Sequence, residues 1–493
     1  MPNPFLPAHE YIPDGEPRVF GERVYVYGSH DQAGSDAFCD LKLKCWSASV
    51  KNLRDWVCHG DIFHTTADRD HAADIDRDGK YLYAPDVVEK DGKYFLFAYI
   101  MDAKGCVAVS DRPEGPFSLV SEYKYGAGED GYCDNGWFID PGVLVDDDGR
   151  SYIFCGFKRS WAAELKQNMY EIIDKSYANH IISLDAPFSF FEACSPRKIG
   201  DTYYLIYSPQ HCSRLVYATS DSPLGKYKFG GTIVDNGENY PGGNNHGSIC
   251  QINSQWYIFY HRMTNGTIMS RRACVERIEI LADGSIPQVE MTSLGFDKSL
   301  SPYEVIPAEI ACVLTGGCIV TEKNIFSRAV IKITDGCVIG YKYFDFGDDF
   351  SSKTMQFFAK IRGMGIKSEI KIFLGDEKNF ALNDTECLDR NSKTTTERIP
   401  AEGVECLDKN PETTTESIPA EGANCSEHSA INFGAHIGTC EIGLNDGVYS
   451  CEIKNVVGRH AVFLVAKSTN GGWFKEQFDG RHLFELEEFV FAK

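Results

Sequence analysis

The chain has 493 residues, too many for one hydrophobic core, so two folding units are expected. Its formal net charge of −22 argues against nucleic acid, whose binding needs clustered Lys and Arg, disfavours an anionic membrane surface, and suits a neutral substrate. Aromatic residues are plentiful, with 25 Tyr, 31 Phe and 6 Trp, enough for a β-rich core and for rings that stack on sugar faces.

The chain opens Met1-Pro-Asn-Pro-Phe-Leu-Pro, without a basic or an apolar leader segment, and carries no apolar run long enough to span a bilayer. A cytoplasmic location is therefore expected. The eighteen cysteines are scattered singly and form no CxxC pair, which predicts free thiols rather than disulfides or a zinc site.

The first 300 residues repeat one pattern five times: a polar residue, a short apolar run, a turn, then an aromatic-rich strand. The first copy leads from Asp14 through Arg18-Val-Phe to Val24-Tyr-Val-Tyr27. The second leads from Ala84-Pro-Asp86 to Tyr94-Phe-Leu-Phe97, and the third from Asp140-Pro-Gly-Val-Leu-Val145 to Tyr152-Ile-Phe154. The fourth leads from Glu192-Ala-Cys-Ser-Pro to Tyr203-Tyr-Leu-Ile-Tyr207, and the fifth from His246-Gly-Ser-Ile-Cys to Trp256-Tyr-Ile-Phe-Tyr260. Turns such as Asp91-Gly92 and Asn253-Ser254 supply residues that tolerate positive φ, so each copy reads as a β-hairpin.

From Asp86 onward the leading residues are spaced 54, 52 and 54 apart, the period of propeller blades. A second repeat interleaves with the first: Ala108-Val-Ser110-Asp-Arg-Pro113-Glu-Gly115 matches Ala218-Thr-Ser220-Asp-Ser-Pro223-Leu-Gly225, and Trp46 to Trp56 is a looser relative. These read as outer blade strands. The expected architecture is all-β: a five-bladed β-propeller over residues 1–300, then a β-sandwich over 301–493. The alternating runs Cys337–Phe344, Met355–Lys360, Glu369–Phe373, Tyr449–Ile453, Ala461–Val465 and Leu483–Phe491 supply the sandwich strands. A low-complexity insert at about 380–427 interrupts it, where Glu386–Gly403 recurs almost unchanged as Glu405–Gly422.

In a propeller the innermost strand of each blade lines the central channel, so the leading residues converge. Three of them, Asp14, Asp140 and Glu192, are carboxylates. Glycosidic cleavage needs one carboxylic acid to protonate the leaving oxygen and a second carboxylate to activate water or to attack. A third negative charge nearby raises the pKa of the acid. The residue types alone do not divide these roles.

The segments Ile12-Pro-Asp14-Gly-Glu-Pro17, Tyr83-Ala-Pro-Asp86, Ile139-Asp140-Pro-Gly-Val, Phe191-Glu192-Ala-Cys-Ser-Pro and Asn245-His246-Gly-Ser-Ile together resemble glycoside hydrolase family 43 over residues 1 to about 290. The resemblance implies an inverting exo-glycosidase that releases a terminal pentose, α-L-arabinofuranose or β-D-xylose, from short oligosaccharides. It implies Asp14 as general base, Glu192 as general acid and Asp140 as the residue that tunes and orients the acid. His246 is implied as a channel histidine beside a water-held calcium; no organic cofactor is expected. Arg271 is implied as a contact to the bound sugar, with Arg272 an alternative register. Glu16 is a rival base, because the first motif reads Asp-Gly-Glu-Pro, and Asp86 reads as structural. Tyr83 stands where a Trp commonly precedes Ala-Pro-Asp in the family, and is expected to bind substrate, as are His30 and His211 at the cleft mouth. The sandwich faintly resembles a family 6-like carbohydrate-binding module, with Tyr341 and Trp473 as candidate exposed rings. Alternatives are another exo-glycosidase, such as a galactosidase, and a non-catalytic sugar-binding propeller.

Overall fold

A computed structural model describes residues 1–101, 104–123, 138–348, 354–375, 433–470 and 480–493. The tandem repeat at 386–422 and Trp473 lie outside these residues.

Five antiparallel sheets follow one another in the order of the five sequence repeats, and each uses the expected hairpin as its two inner strands. The hairpins are Glu16–Phe20 with Arg23–Gly28, Leu82–Lys90 with Lys93–Ile100, Gly142–Val145 with Ser151–Gly156, Phe190–Ile199 with Thr202–Pro209, and Ser248–Ile252 with Gln255–Met263. The second hairpin turns on Asp91 (φ 52°) and Gly92 (φ 75°), the pair of positive dihedrals that a tight two-residue turn needs. The segments recognised as a second repeat form outer strands, Lys104–Ser110 with Ser118–Tyr123 and Arg214–Ser220 with Lys228–Asp235.

The fifth sheet has three strands, ending with Arg271–Ile278, and the N-terminal segment seals its open edge. The Phe5 amide donates to the Ala273 carbonyl at 3.1 Å. The Asn3 side chain imitates a strand backbone, accepting from the Val275 amide at 2.9 Å and donating to the Val275 carbonyl at 2.8 Å. Chain start and last blade are thus tied together, which closes the ring.

Two further sheets pack face to face beyond residue 300. One has the order Ile319–Asn324, Ser327–Ile333, Phe484–Ala492, Thr354–Gly363, Gly447–Lys454. The other runs Val313–Leu314, Val338–Asp345, Arg459–Ser468, Ser368–Gly375, His436–Ile442. The six alternating runs fall in or at the ends of these strands, one set of their apolar positions turned to the shared core between the sheets and another, with Phe463 and Val465, packed in a second cluster. Tyr341, expected to be an exposed ring, is 0% exposed instead. Its hydroxyl donates to the Ala308 carbonyl and its ring packs edge-on against Phe489, because the strand pleat turns it into the sandwich core.

The sandwich shares a core with the last two blades. One apolar cluster runs from Ile206, Ile249 and Ile278 of the propeller to Ile310, Phe357 and Phe489 of the sandwich. Polar ties cross the same seam: the Leu314 amide to the Asn239 carbonyl at 2.7 Å, and the Tyr11 hydroxyl to Glu322 at 2.7 Å.

Candidate active site

Strand register decides which residues form one ring around the channel. Glu16, Asp86, Gly142, Ser195 and Ser248 face Tyr27, Phe97, Phe154, Ile206 and Phe259 across their hairpins, so they share one level of the propeller. One pleat towards the cleft lie Asp14, Asp140 and His246, each two residues ahead of that level. In the second and fourth blades a β-bulge inserts an extra residue. Register jumps from Asp86 to Tyr83, which faces Tyr99, and from Ser195 to Glu192, which faces Ser208. The positive φ of Ala193 (70°) marks the second bulge. The cleft ring is therefore Asp14, Tyr83, Asp140, Glu192 and His246, one residue per blade. Counting along the sequence places Ala84 to Asp86 at this level; the bulge moves Tyr83 there.

All five residues line one cavity of about 700 Å³, together with Phe38, Tyr99, Ile139, Phe157, Phe191, Asn244, Ile268 and Arg271. Tyr83 and Tyr99 stack at 4.8 Å and 27°, and Phe157 leans on Phe191 at 5.0 Å, so rings flank the carboxylates on two sides.

Asp14 is buried, with both oxygens engaged: Arg271 Nη1 donates to one at 2.9 Å and Ser29 Oγ to the other at 2.7 Å. Burial alone would raise its pKa. The Arg271 guanidinium, helped by the Ser29 hydroxyl, outweighs burial and holds it below the ordinary carboxylate value. Asp14 and Asp140 both adopt positive φ (56° and 50°), a conformation Asp tolerates better than most residues.

Asp140 accepts the Ala193 amide at 3.1 Å and is otherwise pushed the opposite way. Burial, then the charges of Glu192 and Asp14, raise its pKa well above the usual range. Glu192 is partly open to the cleft, and its pKa is raised to about 7 by burial and then by the charge of Asp14, against Arg271 and Asn244. Asp14, held below the ordinary carboxylate value, is a charge that raises Glu192.

Arg271 is the organiser. It grips buried Asp31 through Nε and Nη2, both at 2.9 Å, reaches Asp14 with Nη1, and lies 4.9 Å over the Phe38 ring. Strand alternation sends Arg272 the other way, to Glu309 of the sandwich seam at 3.3 Å, which settles the register between the two.

His261 went unnoticed in the sequence. Its Nδ1 accepts the Asp14 amide at 3.3 Å while Nε2 faces the Asn244 carbonyl at 2.9 Å, so Nε2 carries the proton and the ring is neutral. Burial and Arg271 depress its pKa to about 3, in keeping with that tautomer. The contact between Nδ1 and the Asp14 carboxylate at 3.4 Å is accordingly not an ion pair. The hairpin register held a signal: carried two steps beyond the Ser248–Phe259 pair, it sets position 261 opposite position 246.

Three expectations are corrected. His30 turns away from the cavity to Asp40, 3.0 Å from its Nδ1, where Gln32 also binds. His211 sits exposed on the turn after Thr202–Pro209 with φ 59° and lines no part of the cavity. Glu16, the rival base, lies one level below, bound by Arg197, Ser195 and Arg18.

Residues 1–286 match the family described as glycosyl hydrolases family 43. The chain belongs to this family. It is a glycoside hydrolase of the xylosidase/arabinofuranosidase type. A xylosidase/arabinosidase of Thermoclostridium stercorarium is 40% identical over 400 aligned positions, covering 70% of this chain and 82% of the relative. The structure of a family 43 arabinoxylan arabinofuranohydrolase from Bacillus subtilis, in complex with cellotetraose, covers 100% of this chain and 97% of that one at a TM-score of 0.51 and 20% identity, a likeness of fold. A family 43 β-xylosidase/α-arabinofuranosidase from a compost microbial metagenome, solved with xylotriose in a calcium-free form, covers 59% of this chain and 99% of that one, with 26% identity and a TM-score of 0.48.

For calcium, the donors beside His246 are few. Its Nδ1 stands 3.8 Å from Asp14 and 3.7 Å from Asp140, whose oxygens already accept hydrogen bonds. Calcium takes 6–8 oxygen ligands at about 2.3–2.6 Å, so these residues fit an ion held mainly through water.

Proposed function

We propose that the enzyme removes terminal pentose units, xylose or arabinofuranose, from plant-type oligosaccharides by single displacement with inversion. The observation that carries the division of labour is the opposite perturbation of two carboxyls on one ring. Asp14 is held ionised by Arg271, whereas Glu192 is raised to about 7 and keeps a proton near neutral pH. In this reading Asp14 takes a proton from water as the water attacks the anomeric carbon. Glu192 gives its proton to the departing glycosidic oxygen. Asp140, bonded to the amide that follows Glu192, holds the acid's backbone in place. Tyr83, Tyr99 and Phe38 frame the sugar, and Arg271 fixes the base. The floor beneath is filled by side chains of the lower ring, which suits a blind pocket for a chain end.

The names of the relatives support a pentose. A panel of nitrophenyl glycosides, followed by NMR of the first-formed anomer from a xylo- or arabino-oligosaccharide, tests both parts. Release of xylose or arabinose with inverted configuration supports the reading. A retained anomer overturns the mechanism, galactose release overturns the sugar assignment, and sugar binding without hydrolysis of any glycoside overturns catalysis. A water-held calcium beside His246 belongs to the same proposal. Chelation is expected to lower activity or thermal stability without unfolding the protein, and added calcium to restore it. A reducing, cytoplasmic setting is also proposed, supported by cysteines scattered singly along the chain, most of the described ones buried.

A further inference from the structure

Away from the cleft, at the outer edge of the first blade, three potential ligands converge. Asp61 and His64 end the strand Asn52–His64, and Asp68 lies in the loop that follows. One ligand atom from each, the imidazole nitrogen and a carboxylate oxygen of both Asp residues, lies within 4.8 Å of the others. Two of the participating side chains carry a buried atom left unanswered. His64 is 2% exposed and its Nε2 has no hydrogen-bond partner, standing 3.9 Å from Asp61 Oδ2. Asp61 Oδ1 is likewise buried without a partner, while Oδ2 accepts from Lys42 at 2.9 Å. Two buried polar atoms without partners, the His64 imidazole nitrogen and Asp61 Oδ1, are costly unless something satisfies them.

We infer that Asp61, His64 and Asp68 form a binding site for a divalent metal of the zinc class. The donor set of one imidazole and two carboxylates suits a borderline metal better than calcium, which favours oxygen throughout. Ligands of a tetrahedral zinc with bonds of about 2.0–2.2 Å lie roughly 3.4 Å apart, so the three side chains close by about 1 Å around the ion and water fills the remaining position. Lys42 can keep its bond to Asp61 Oδ2, since the metal would take Oδ1. Asp68 is exposed and gives the ion its entry; its Oδ1 already braces the turn by accepting the amides of Asp70 and His71.

The site clamps a segment that matters to the cleft. Residues 65–81 leave the first blade at His64 and deliver Leu82 and Tyr83 to the second. The segment is tied to His64 on both sides, through the His64 amide to Asp74 Oδ2 and the Asp74 amide to the His64 carbonyl. A metal joining Asp68 to Asp61 and His64 would fasten its outer arm to the blade, a structural rather than a catalytic role.

The test uses the full chain, stripped by chelation and then given zinc alone. Wild type is expected to retain one zinc per chain and to gain about 2–4 °C in thermal midpoint. Asp68→Asn keeps the turn, because the amide oxygen still accepts both backbone N–H groups, and is expected to lose the zinc and the gain. His64→Gln is expected to do the same. Cobalt in place of zinc should give visible ligand-field bands without a thiolate charge-transfer band. Failure of the wild type to hold zinc overturns the inference. So does zinc retained equally by Asp68→Asn and His64→Gln, or a cobalt–thiolate band, which would move the ion to a cysteine such as exposed Cys58.

Discussion

Two rings of side chains one pleat apart use the same chemistry to opposite ends. In the lower ring Arg18 grips Asp86 through Nε at 3.0 Å and Nη2 at 2.6 Å, and Arg197 binds Glu16 while Ser195 bridges to Ser248 at 2.6 Å. Arg18 also reaches the Val143 carbonyl at 2.9 Å and Arg197 the Ile249 carbonyl at 3.0 Å, so this ring stitches all five blades together. Two arginines meet two carboxylates, and the third blade contributes Gly142, where an added Cβ would come 2.1 Å from the Cys194 carbonyl. In the cleft ring three carboxylates meet one arginine, and that arginine already serves Asp31. The charge deficit is the functional feature. With too few cations, Asp14 is held below the ordinary carboxylate value and its neighbours are pushed above it.

The largest expected effect separates the rings by activity. Asp14→Asn should cut kcat by about 10³-fold or more on both oligosaccharides and nitrophenyl glycosides, since no activated water remains. Glu192→Gln should cost about 10²–10⁴-fold on oligosaccharides but far less on nitrophenyl glycosides, whose leaving group departs without a proton. Equal loss of both substrates in Glu192→Gln would remove the acid assignment.

In the lower ring the loss should appear as stability. Breaking a buried ion pair costs about 3–5 kcal/mol, so Glu16→Gln, which keeps the shape of the side chain, should lower the unfolding free energy measured in urea by up to that amount. The folded enzyme should keep kcat/KM within about threefold of wild type. A well-folded but inactive Glu16→Gln would break the distinction between the rings and return Glu16 as the base.

Titration sharpens the comparison further. The pKa of Glu192 is about 7, so kcat on oligosaccharides should fall on the basic side with a midpoint near pH 7. Because this pKa is raised on folding, the stability tied to Glu192 is full below its unfolded value and is lost as pH climbs through about 7. Asp14 has the opposite sign: its contribution is present above the ordinary Asp value and is lost as pH drops through the depressed one. Because Asp14 is the charge that raises Glu192, Asp140→Asn should leave the basic midpoint nearly unmoved, while kcat falls through poorer placement of the acid. A clear downward shift of that midpoint would show that Asp140 carries the charge after all.

The smallest effect belongs to the rings of the cleft. Tyr83→Ala removes a stacked pair worth about 0.5–1.5 kcal/mol and should raise KM by about 3- to 10-fold with little change in kcat. A drop in kcat alone would give Tyr83 a part in the chemistry.

Much of this was legible in the sequence, because β-hairpins are local. The five apolar runs with their Asp-Gly and Asn-Ser turns specify five hairpins, and repetition of the unit specifies a propeller whose inner strands converge. Asp14, Asp140, Glu192 and His246 could be named for that reason. Alternation likewise gave the sandwich strands through Ala461–Val465 and Leu483–Phe491.

What the sequence could not determine depends on register and on partners distant in the chain. Bulges at Tyr83–Asp86 and Glu192–Ser195 exchange which residue reaches the cleft, and no residue count along the strand reveals an unpaired insertion. His30 and His211 have the composition of cleft residues, yet Asp40 and an exposed turn claim them. The ring of Tyr341 follows the same alternation as its strand, but only the packing of two sheets shows which face is inside. The pKa values were beyond sequence for the same reason. Asp14 and Arg271 stand 257 residues apart in the chain and 2.9 Å apart in the fold. That contact, made only when the fifth blade closes on the first, holds Asp14 below the ordinary carboxylate value, and the proposed division into base and acid rests on it.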